Sequence, residues 1–212
     1  MRKTVVITGA GTGIGKALSE VFAKNGWNTI AQAHAALDVT DQKSIAAFVK
    51  KLDGQPVDVL INNAGVFYSP YEDPEHKSID NIVKVFQVNT IGPKTVAEAL
   101  LPNLHKGTEK LVVSISSVMG TYKSINEFSA DHWPYGASKA ALNFAMVSFG
   151  MEHPEIKSVL IHPGWVKTKM GGPGATLEPI ESATNIYELI IDHHNRLPNM
   201  KMVRYTGELM NF

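Results

Sequence analysis

The sequence predicts an α/β fold, built as one doubly wound parallel sheet of about six strands. Short apolar runs rich in β-branched residues alternate along the chain with longer segments of helical period. Runs such as VVIT and LVVSIS are apolar on both faces, as expected of parallel strands that helices cover on each side. A glycine-rich turn directly follows the first of these runs. We therefore expect a single domain over residues 1–212.

Each strand is placed at a run that is apolar, rich in β-formers and bounded by turn residues. The six candidate strands are residues 3–8, 28–33, 57–61, 111–116, 157–162 and 201–205. The segments between them carry apolar residues at helical spacing, and the candidate helices are residues 13–25, 41–53, 75–104, 134–152 and 178–195. This regular alternation is what a doubly wound sheet requires.

One connection is too short for the usual topology. Parallel strands need a crossover of a dozen or more residues, yet only three residues separate the second strand from the segment 37–39. Either this segment is not a full strand, or the chain merely passes beside the sheet edge there. We predict that the helix between the second and third strands is missing, so that the usual outermost third strand is vestigial.

Composition and charge exclude several function classes. The 20 Lys and Arg balance the 20 Asp and Glu, so the sequence offers no basic surface for nucleic acid or for an anionic membrane. Without cysteine there is no disulfide, thiolate metal site or cysteine nucleophile, and together with the lack of a signal-like apolar run this favours the cytoplasm. The eight histidines show no HExxH or comparable spacing, and His193 and His194 are expected to point different ways on a helix. We therefore expect no metal.

The turn Thr8–Gly15, with the sequence TGAGTGIG, joins the first strand to the first helix. Its glycines allow positive φ and a close approach of the backbone to a ligand. The amides that open the helix, together with the positive end of the helix dipole, can face a pyrophosphate. A tight strand-to-helix connection has the same appearance, but its position at the start of an alternating chain favours a Rossmann-like nucleotide site.

Four motifs together resemble the short-chain dehydrogenase/reductase family. They are the TGxxxGxG spacing of Thr8, Gly9, Gly13 and Gly15, the NNAG run at residues 62–65, the YxxxK of Tyr135 and Lys139, and Pro163-Gly164. The resemblance covers residues 3 to about 205, and IHPGWVKTKMGG and YTGELMNF are most similar to the compact C-factor-like carbonyl reductases. It implies an NAD(P)-dependent oxidoreductase that transfers hydride between the nicotinamide and a small carbonyl or alcohol substrate. The alternative is a non-catalytic NAD(P)-sensing regulatory protein of the same fold.

Tyr135 and Lys139 lie four residues apart, so both side chains project from one helix face. Bringing a tyrosine pKa of about 10 toward neutrality requires roughly 4 kcal/mol of preferential phenolate stabilisation, which the ammonium and a cationic nicotinamide could supply. The resemblance implies that Tyr135 is the acid/base and that Ser117 binds the substrate oxygen. It implies that Ser116 instead hydrogen-bonds the backbone. Asn89 is expected to hold a water in a proton relay to Lys139. An asparagine facing solvent from mid-helix is the alternative for Asn89.

The resemblance also assigns the cofactor contacts. They are Thr8, Gly9, Gly11, Thr12, Gly13, Ile14, Gly15, His34, Asp38, Val39, Asn63, Ala64, Gly65, Tyr135, Lys139, Pro163, Gly164, Val166 and Thr168. Thr168 would bond the nicotinamide carboxamide and Asp38 the adenine, although an exposed loop aspartate is the competing interpretation. The end of the second strand carries no acid to repel a 2′-phosphate, but the arginines that usually grip that phosphate are also missing, with Thr12 and His34 in their places. NADP(H) is favoured over NAD(H).

The substrate side is expected to be apolar and aromatic. Candidate pocket residues are Met119, Tyr122, Trp133, Trp165 and Met170, although core packing explains any one of them equally well. The 18-residue interval from Ser117 to Tyr135 is a few residues longer than the family usually shows, and its extra residues fall within 122–133.

A short C-terminal substrate loop is expected at about residues 169–177. Its Gly-Gly-Pro-Gly stretch predicts either a mobile loop over the site or a tolerated surface loop. In the family, the helices that correspond to residues 75–104 and 134–152 commonly pair between subunits. The resemblance thus implies a homodimer or homotetramer.

Overall fold

A seven-stranded sheet runs through the centre of the molecule, which a computed structural model describes over residues 2–69, 73–124 and 130–212. The strands are β1 (Thr4–Thr8), β2 (Asn28–Gln32), β3 (Val59–Asn62), β4 (Leu111–Ile115), β5 (Lys157–His162), β6 (Met202–Arg204) and β7 (Leu209–Met210). Their order is β2-β1-β3-β4-β5-β6-β7, with all neighbours parallel except the last pair. The doubly wound prediction is confirmed, and a two-residue antiparallel strand extends the six that were predicted.

Helices cover both faces of this sheet. They are α1 (Gly13–Lys24), α2 (Gln42–Leu52), α3 (Ile79–Phe86), α4 (Gly92–Ala99), α5 (Leu101–Lys106), α6 (Trp133–Glu152), α7 (Pro179–Ile191) and α8 (His193–Arg196). In the described part of the chain, none of them combines the length and the apolar character that a membrane-crossing helix needs.

Two hydrophobic cores lie on opposite faces of the sheet. On one face, Leu18 and Phe22 of α1 pack with Ile186 of α7 against alternate residues of the strands. On the other face, side chains from α2, α4 and α6 fill the core, including Leu142 and Met146 of α6. Strands β1 and β4 are buried along their full length, because each contributes residues to both cores.

The missing crossover after β2 is confirmed. The chain leaves β2 through a tight turn in which the amide of Leu37 donates to the carbonyl of Ala33 at 3.0 Å. Leu37 and Val39 then bury their side chains in the second core without pairing with any described strand, so β2 forms the edge of the sheet. The usual outermost third strand, predicted to be vestigial, is present only as this packed segment.

The predicted single helix over residues 75–104 is wrong in detail. Ser78 caps α3 by accepting from the amide of Asn81 at 3.3 Å, and the helix is interrupted by a π-helical turn at Gln87–Ile91 before α4 and α5 continue it to Lys106. π turns are rare and occur as single turns inside α-helices, so a continuous helix is the ordinary prediction for such a segment. The predicted helix 178–195 is likewise divided, into α7 and the short α8.

Candidate active site at the carboxyl edge of the sheet

The turn that follows β1 is fixed to the segment that follows β3. Thr8 Oγ1 accepts from the amides of Asn63 and Ala64, each at 3.1 Å, and Asn63 Nδ2 donates to the carbonyls of Thr8 at 3.0 Å and Gly9 at 3.1 Å. Gly9 has φ +65, and a Cβ there would lie 2.6 Å from the Cα of Ala64. The two predicted motifs therefore form one rigid unit at the carboxyl edge.

The start of α1 faces the cleft above this unit. Within the described residues Thr12 caps the helix without a side-chain hydrogen bond, so the first amides of α1 stay available to an anion. A Cβ on Gly15 would come within 2.5 Å of the Gly9 carbonyl oxygen, which explains a glycine inside the helix. A Cβ on Gly13 would lie 3.0 Å from Cγ2 of Thr168. The structure thus brings Thr168 directly against the turn.

The residues expected at the adenosine end lie close to the same turn. The amide of Ala10 donates to Gln32 at the end of β2, at 3.0 Å. The Asp38 carboxylate accepts from the hydroxyl of Thr40 at 2.7 Å and from its amide at 2.9 Å, and these bonds hold the pKa of Asp38 below its ordinary value. His34 is 79% exposed, with Nε2 3.9 Å from Asp38 Oδ2. The aspartate is therefore anchored within its own turn.

Tyr135, Lys139 and Ser117 meet where β4 ends and α6 begins. Lys139 is buried, and its Nζ donates to the carbonyl of Ile115 at 2.8 Å and lies 5.7 Å from the centre of the Tyr135 ring. The hydroxyl of Ser117 hydrogen-bonds the Tyr135 side chain and accepts from the amide of Met119 at 3.1 Å. The structure therefore brings together the three side chains that the sequence assigns to proton transfer.

Burial shifts both titratable groups of this centre. It raises the pKa of Tyr135 to about 12, against the smaller opposing effect of the Ser117 hydrogen bond. It lowers the pKa of Lys139 to about 8. Desolvation of the phenolate therefore outweighs the Ser117 hydrogen bond. The lowering of the tyrosine pKa by the ammonium together with a cationic nicotinamide stays a prediction. With its raised pKa, Tyr135 keeps its proton at neutral pH.

Asn89 sits in the π-helical turn and is fully buried. Its Oδ1 accepts from the amide of Val66 at 2.8 Å, and its Nδ2 donates to the carbonyl of Val66 at 2.9 Å and to the hydroxyl of Ser138 at 3.1 Å. The alternative of a solvent-facing side chain is wrong. A Cβ on Gly65 would lie 3.4 Å from Asn89 Oδ1 and 3.8 Å from Lys139 Nζ, so the asparagine borders the lysine.

Ser116 and Asn143 form a buried hydrogen-bond chain behind Ser117 that the sequence did not reveal. The Ser116 hydroxyl donates to Asn143 Oδ1 at 2.5 Å rather than to the backbone as expected, and Asn143 Nδ2 donates to the carbonyl of Gly120 at 3.1 Å. A Cβ on Gly120 would lie 2.7 Å from the carbonyl carbon of Lys139. The turn that carries Ser117 is therefore packed directly on the backbone of α6.

Several expected pocket residues are largely exposed. Tyr122, Trp133, Trp165 and Met170 all face solvent over much of their surface. The indole of Trp165 donates to the carbonyl of Gly171 at 2.8 Å, so it is held within its own loop. Residues 125–129 of the longer interval before Tyr135 lie outside the described residues.

Phe67 is the pocket residue that the sequence did not identify. Its ring meets that of Tyr135 edge to face at 5.2 Å and lies 5.5 Å from the ring of His132. Only Val66 separates Phe67 from the NNAG run in the sequence. This position next to the run is the signal that could have identified it. It forms one wall of the space beside the phenol.

The glycine-rich loop closes on itself. Val166 and Leu177 form an isolated parallel bridge, and the amide of Lys167 donates to the carbonyl of Leu177 at 2.9 Å. Thr168 Oγ1 accepts from the amide of Gly171 at 3.0 Å. Gly164 has φ +86, and a Cβ there would meet Leu177 at 2.8 Å. The segment from Pro163 to Thr168 is therefore held by its own loop, with Thr168 beside Gly13 of the first turn.

The sequence predicts that the two adjacent histidines point different ways, and this prediction is wrong. Helix α7 ends at Ile191 and α8 begins at His193, and the rings of His193 and His194 lie 4.0 Å apart between centroids, with an interplanar angle of 36°. The ground for expecting no metal is therefore wrong for this pair, because a helix break precedes it.

Comparisons with known proteins identify one family. The family profile described as short chain dehydrogenase matches residues 31–176, a range that includes the catalytic candidates. The chain is 38% identical to C-signal of Myxococcus xanthus over 148 residues, which are 68% of this chain and 86% of that protein. It spans only 62 to 66% of the length of three further relatives, two of them named as short-chain dehydrogenases.

Solved structures are similar over the whole chain. A short-chain dehydrogenase/reductase from Burkholderia multivorans with bound NADP superposes with a TM-score of 0.85 and 28% identity, covering 100% of both chains. A carbonyl reductase from Pseudomonas aeruginosa PAO1 in complex with NADP gives a TM-score of 0.80 and 25% identity, again over 100% of both chains.

Proposed function

Because this chain belongs to the short-chain dehydrogenase family, we propose that it transfers hydride between a nicotinamide cofactor and a small carbonyl or alcohol substrate, with Tyr135 as the acid/base. The resemblance drawn from the four motifs is confirmed, and the chain is a nicotinamide-dependent oxidoreductase of that family. One observation carries the finer proposal: Ser117, Tyr135 and Lys139 meet at the same sheet edge as the glycine turn.

The cleft fits a dinucleotide. The positive φ of Gly9 and Gly13 and the uncapped first turn of α1, seen among the described residues, form a cradle that side chains would fill. We propose that Thr8–Gly15, Asn63–Gly65 and Pro163–Thr168 hold the pyrophosphate and nicotinamide, and that Asp38 and Val39 contact the adenine. When bound, the nicotinamide supplies or accepts the hydride.

We favour NADP(H) over NAD(H). The end of β2 offers Gln32 and Ala33 followed by the exposed His34, with no acid that would repel a 2′-phosphate. The two similar structures named above, from Burkholderia multivorans and Pseudomonas aeruginosa, contain NADP. His34 and Thr12 would then lie nearest to the phosphate.

The chain's own residues account for the proton. With its raised pKa, Tyr135 keeps its proton at neutral pH and can donate it to a carbonyl oxygen as negative charge develops there. Ser117 donates a second hydrogen bond to that oxygen. Lys139 lies beside the phenol ring, and Asn89 fixes the neighbouring backbone of Val66. We propose that Asn89 and Lys139 lead to the water that returns the proton.

The experiment is oxidation of NADPH and of NADH in the presence of aldehydes, ketones and quinones. Removing the phenol hydroxyl with Tyr135→Phe should lower turnover by about 10²–10⁴-fold, while cofactor binding is retained. Tyr187→Phe, on a tyrosine of α7 whose ring packs against Phe22, is the matched control and should keep wild-type turnover. If the wild type binds cofactor but never exceeds Tyr135→Phe, the enzyme proposal fails and the sensing protein takes its place.

We also propose a homodimer or homotetramer, in the cytoplasm, as the working form. Large apolar side chains are exposed on α3, the π-helical turn and α6, namely Ile79, Val83, Ile91, Phe144 and Met151. An apolar surface of this kind favours a partner, and a second copy presents the same helices. Light scattering should give a mass of two or four times 23.1 kDa, whereas a monomer at micromolar concentration would contradict the proposal.

A further inference from the structure

Three ionisable side chains cluster at the amino edge of the sheet, opposite the proposed active site. Glu109 precedes β4, and His193 and His194 open α8, beyond the end of α7. Each offers one ligand atom, and the three atoms lie within 4.8 Å of one another. All three residues line a surface cavity of about 330 Å³, so solvent reaches the edge of the cluster.

His193 is the centre of this cluster. It is 1% exposed, its Nδ1 lies 3.0 Å from the carbonyl oxygen of Ile190, and its Nε2 has no hydrogen-bond partner among the described residues. A carbonyl only accepts, so Nδ1 carries the proton and the lone pair of the neutral ring is on Nε2. Metal-ligating histidines are oriented by this kind of bond from their other nitrogen.

The two carboxylate oxygens of Glu109 have different neighbours. Lys3 Nζ pairs with Oε1 at 2.6 Å, while Oε2 lies 3.7 Å from Nδ1 of His193. The ammonium of Lys157 is bound to the carbonyls of His193 at 2.9 Å and Leu197 at 3.0 Å. Both lysines therefore have partners of their own, and the glutamate remains an anionic oxygen ligand.

A second cluster, of Glu98, Glu152 and His153, lacks these properties. Both carboxylates of this cluster are paired with Lys94 Nζ, which lies 2.7 Å from Glu98 and in short contact with Glu152. The cluster offers one imidazole rather than two. Divalent transition metals prefer imidazole nitrogen, so this cluster serves as a control and not as a site.

We infer that Glu109, His193 and His194 bind a divalent transition-metal ion such as Zn²⁺ or Cu²⁺, with two imidazoles and one carboxylate as ligands. Zn²⁺ bonds of about 2.0–2.2 Å require ligand atoms that lie within 4.8 Å of one another to approach by roughly 1 Å. Oε2 of Glu109 lies 3.7 Å from Nδ1 of His193 and must turn toward Nε2, while the exposed ring of His194 can move toward both. The ion would join α8 to the segment that opens β4. This inference does not rest on the proposed function, because the site lies at the other edge of the sheet.

The experiment is calorimetric titration of the tag-free full chain with Zn²⁺. We expect one ion per chain, an affinity about tenfold or more weaker in His194→Ala, and wild-type affinity in the control His153→Ala. Glu109→Gln, which removes the anion but keeps the size of the side chain, should also weaken binding. All variants keep the buried His193, so folding is not at risk from its loss.

Electron paramagnetic resonance with Cu²⁺ gives a second measurement. The wild type should show coupling to two nitrogens, and His194→Ala to one. Equal Zn²⁺ affinity in the wild type and His194→Ala would overturn the inference. So would loss of the ion in His153→Ala alone, or a wild type that binds no Zn²⁺.

Discussion

The two ends of the proposed cofactor cleft are built differently. At the nicotinamide end, Asn89, Ser117 and Lys139 are buried and each is fixed by hydrogen bonds to neighbouring backbone. At the adenosine end, His34 is exposed and the Asp38 carboxylate accepts from Thr40, two residues further along the chain. Proton transfer depends on placement to within a fraction of an ångström, whereas recognition of a phosphate depends on a few surface charges. Substitutions should therefore have large effects at the first end and small, selective effects at the second.

Among substitutions that leave the proposed catalytic side chains in place, the largest effect is expected from Gly120→Ala. The new Cβ would meet the backbone of α6 at Lys139, at 2.7 Å, and must displace the helix that carries Tyr135 and Lys139. A shift of about 1 Å should lower kcat about 10²-fold, measured with the best carbonyl substrate at saturating NADPH.

Gly26→Ala is the matched control for this prediction. Gly26 has φ +82 and nothing lies within 4 Å of its Cβ position, so alanine strains the backbone by about 1–2 kcal/mol without moving α6. It should lower stability and leave kcat unchanged. Equal kcat in the two variants would remove the distinction between positioning and stability.

The next effect concerns pH. Burial lowers the pKa of Lys139 to about 8 from 10.5 in the unfolded chain, so between these values the unfolded state binds more protons and stability rises with pH. From pH 7 to about 9.5 this lysine should add about 2 kcal/mol to the free energy of unfolding. The buried charge destabilises the fold most at low pH.

Urea unfolding at several pH values measures this contribution. Lys139→Met should lose the rise, so its stability relative to wild type falls as pH increases. Lys51→Met, at an exposed lysine of α2, is the control and should follow the wild type. Parallel curves for wild type and Lys139→Met would contradict a desolvated lysine in this site.

The sequence predicts that Ser117, Tyr135 and Lys139 lie together because its signals there are local. Tyr135 and Lys139 lie one helical turn apart, and the glycines of the first turn occupy a strand-to-helix connection. The missing crossover could also be predicted, since three residues cannot hold a helix. Each of these conclusions needs only a short stretch of chain and its known geometry.

What the sequence did not reveal depends on contacts between distant segments. Phe67 meets Tyr135, and Asn143 meets Ser116, only after β3, β4 and α6 have packed. The π-helical turn around Asn89 lies between two α-helices and contains neither glycine nor proline, so no helix-breaking residue marks it. The break before α8 brings two histidine rings together where a continuous helix would separate them. In each case tertiary packing, rather than local preference, decides the geometry.

The smallest effect is expected at the adenosine end, from His34→Asp. A carboxylate at this exposed position would repel a 2′-phosphate and could accept from the ribose hydroxyls. The dissociation constant of NADPH should rise by about tenfold, or about 1.4 kcal/mol, and that of NADH should stay equal or fall. Because His34 is 79% exposed, the free energy of unfolding should hardly change, and kcat at saturating cofactor should remain that of the wild type.

His34→Asn, which adds no charge, is the control and should retain most NADPH affinity. Fluorescence titration with both cofactors decides the outcome: equal losses for NADPH and NADH would mean that His34 shapes the turn rather than faces a phosphate.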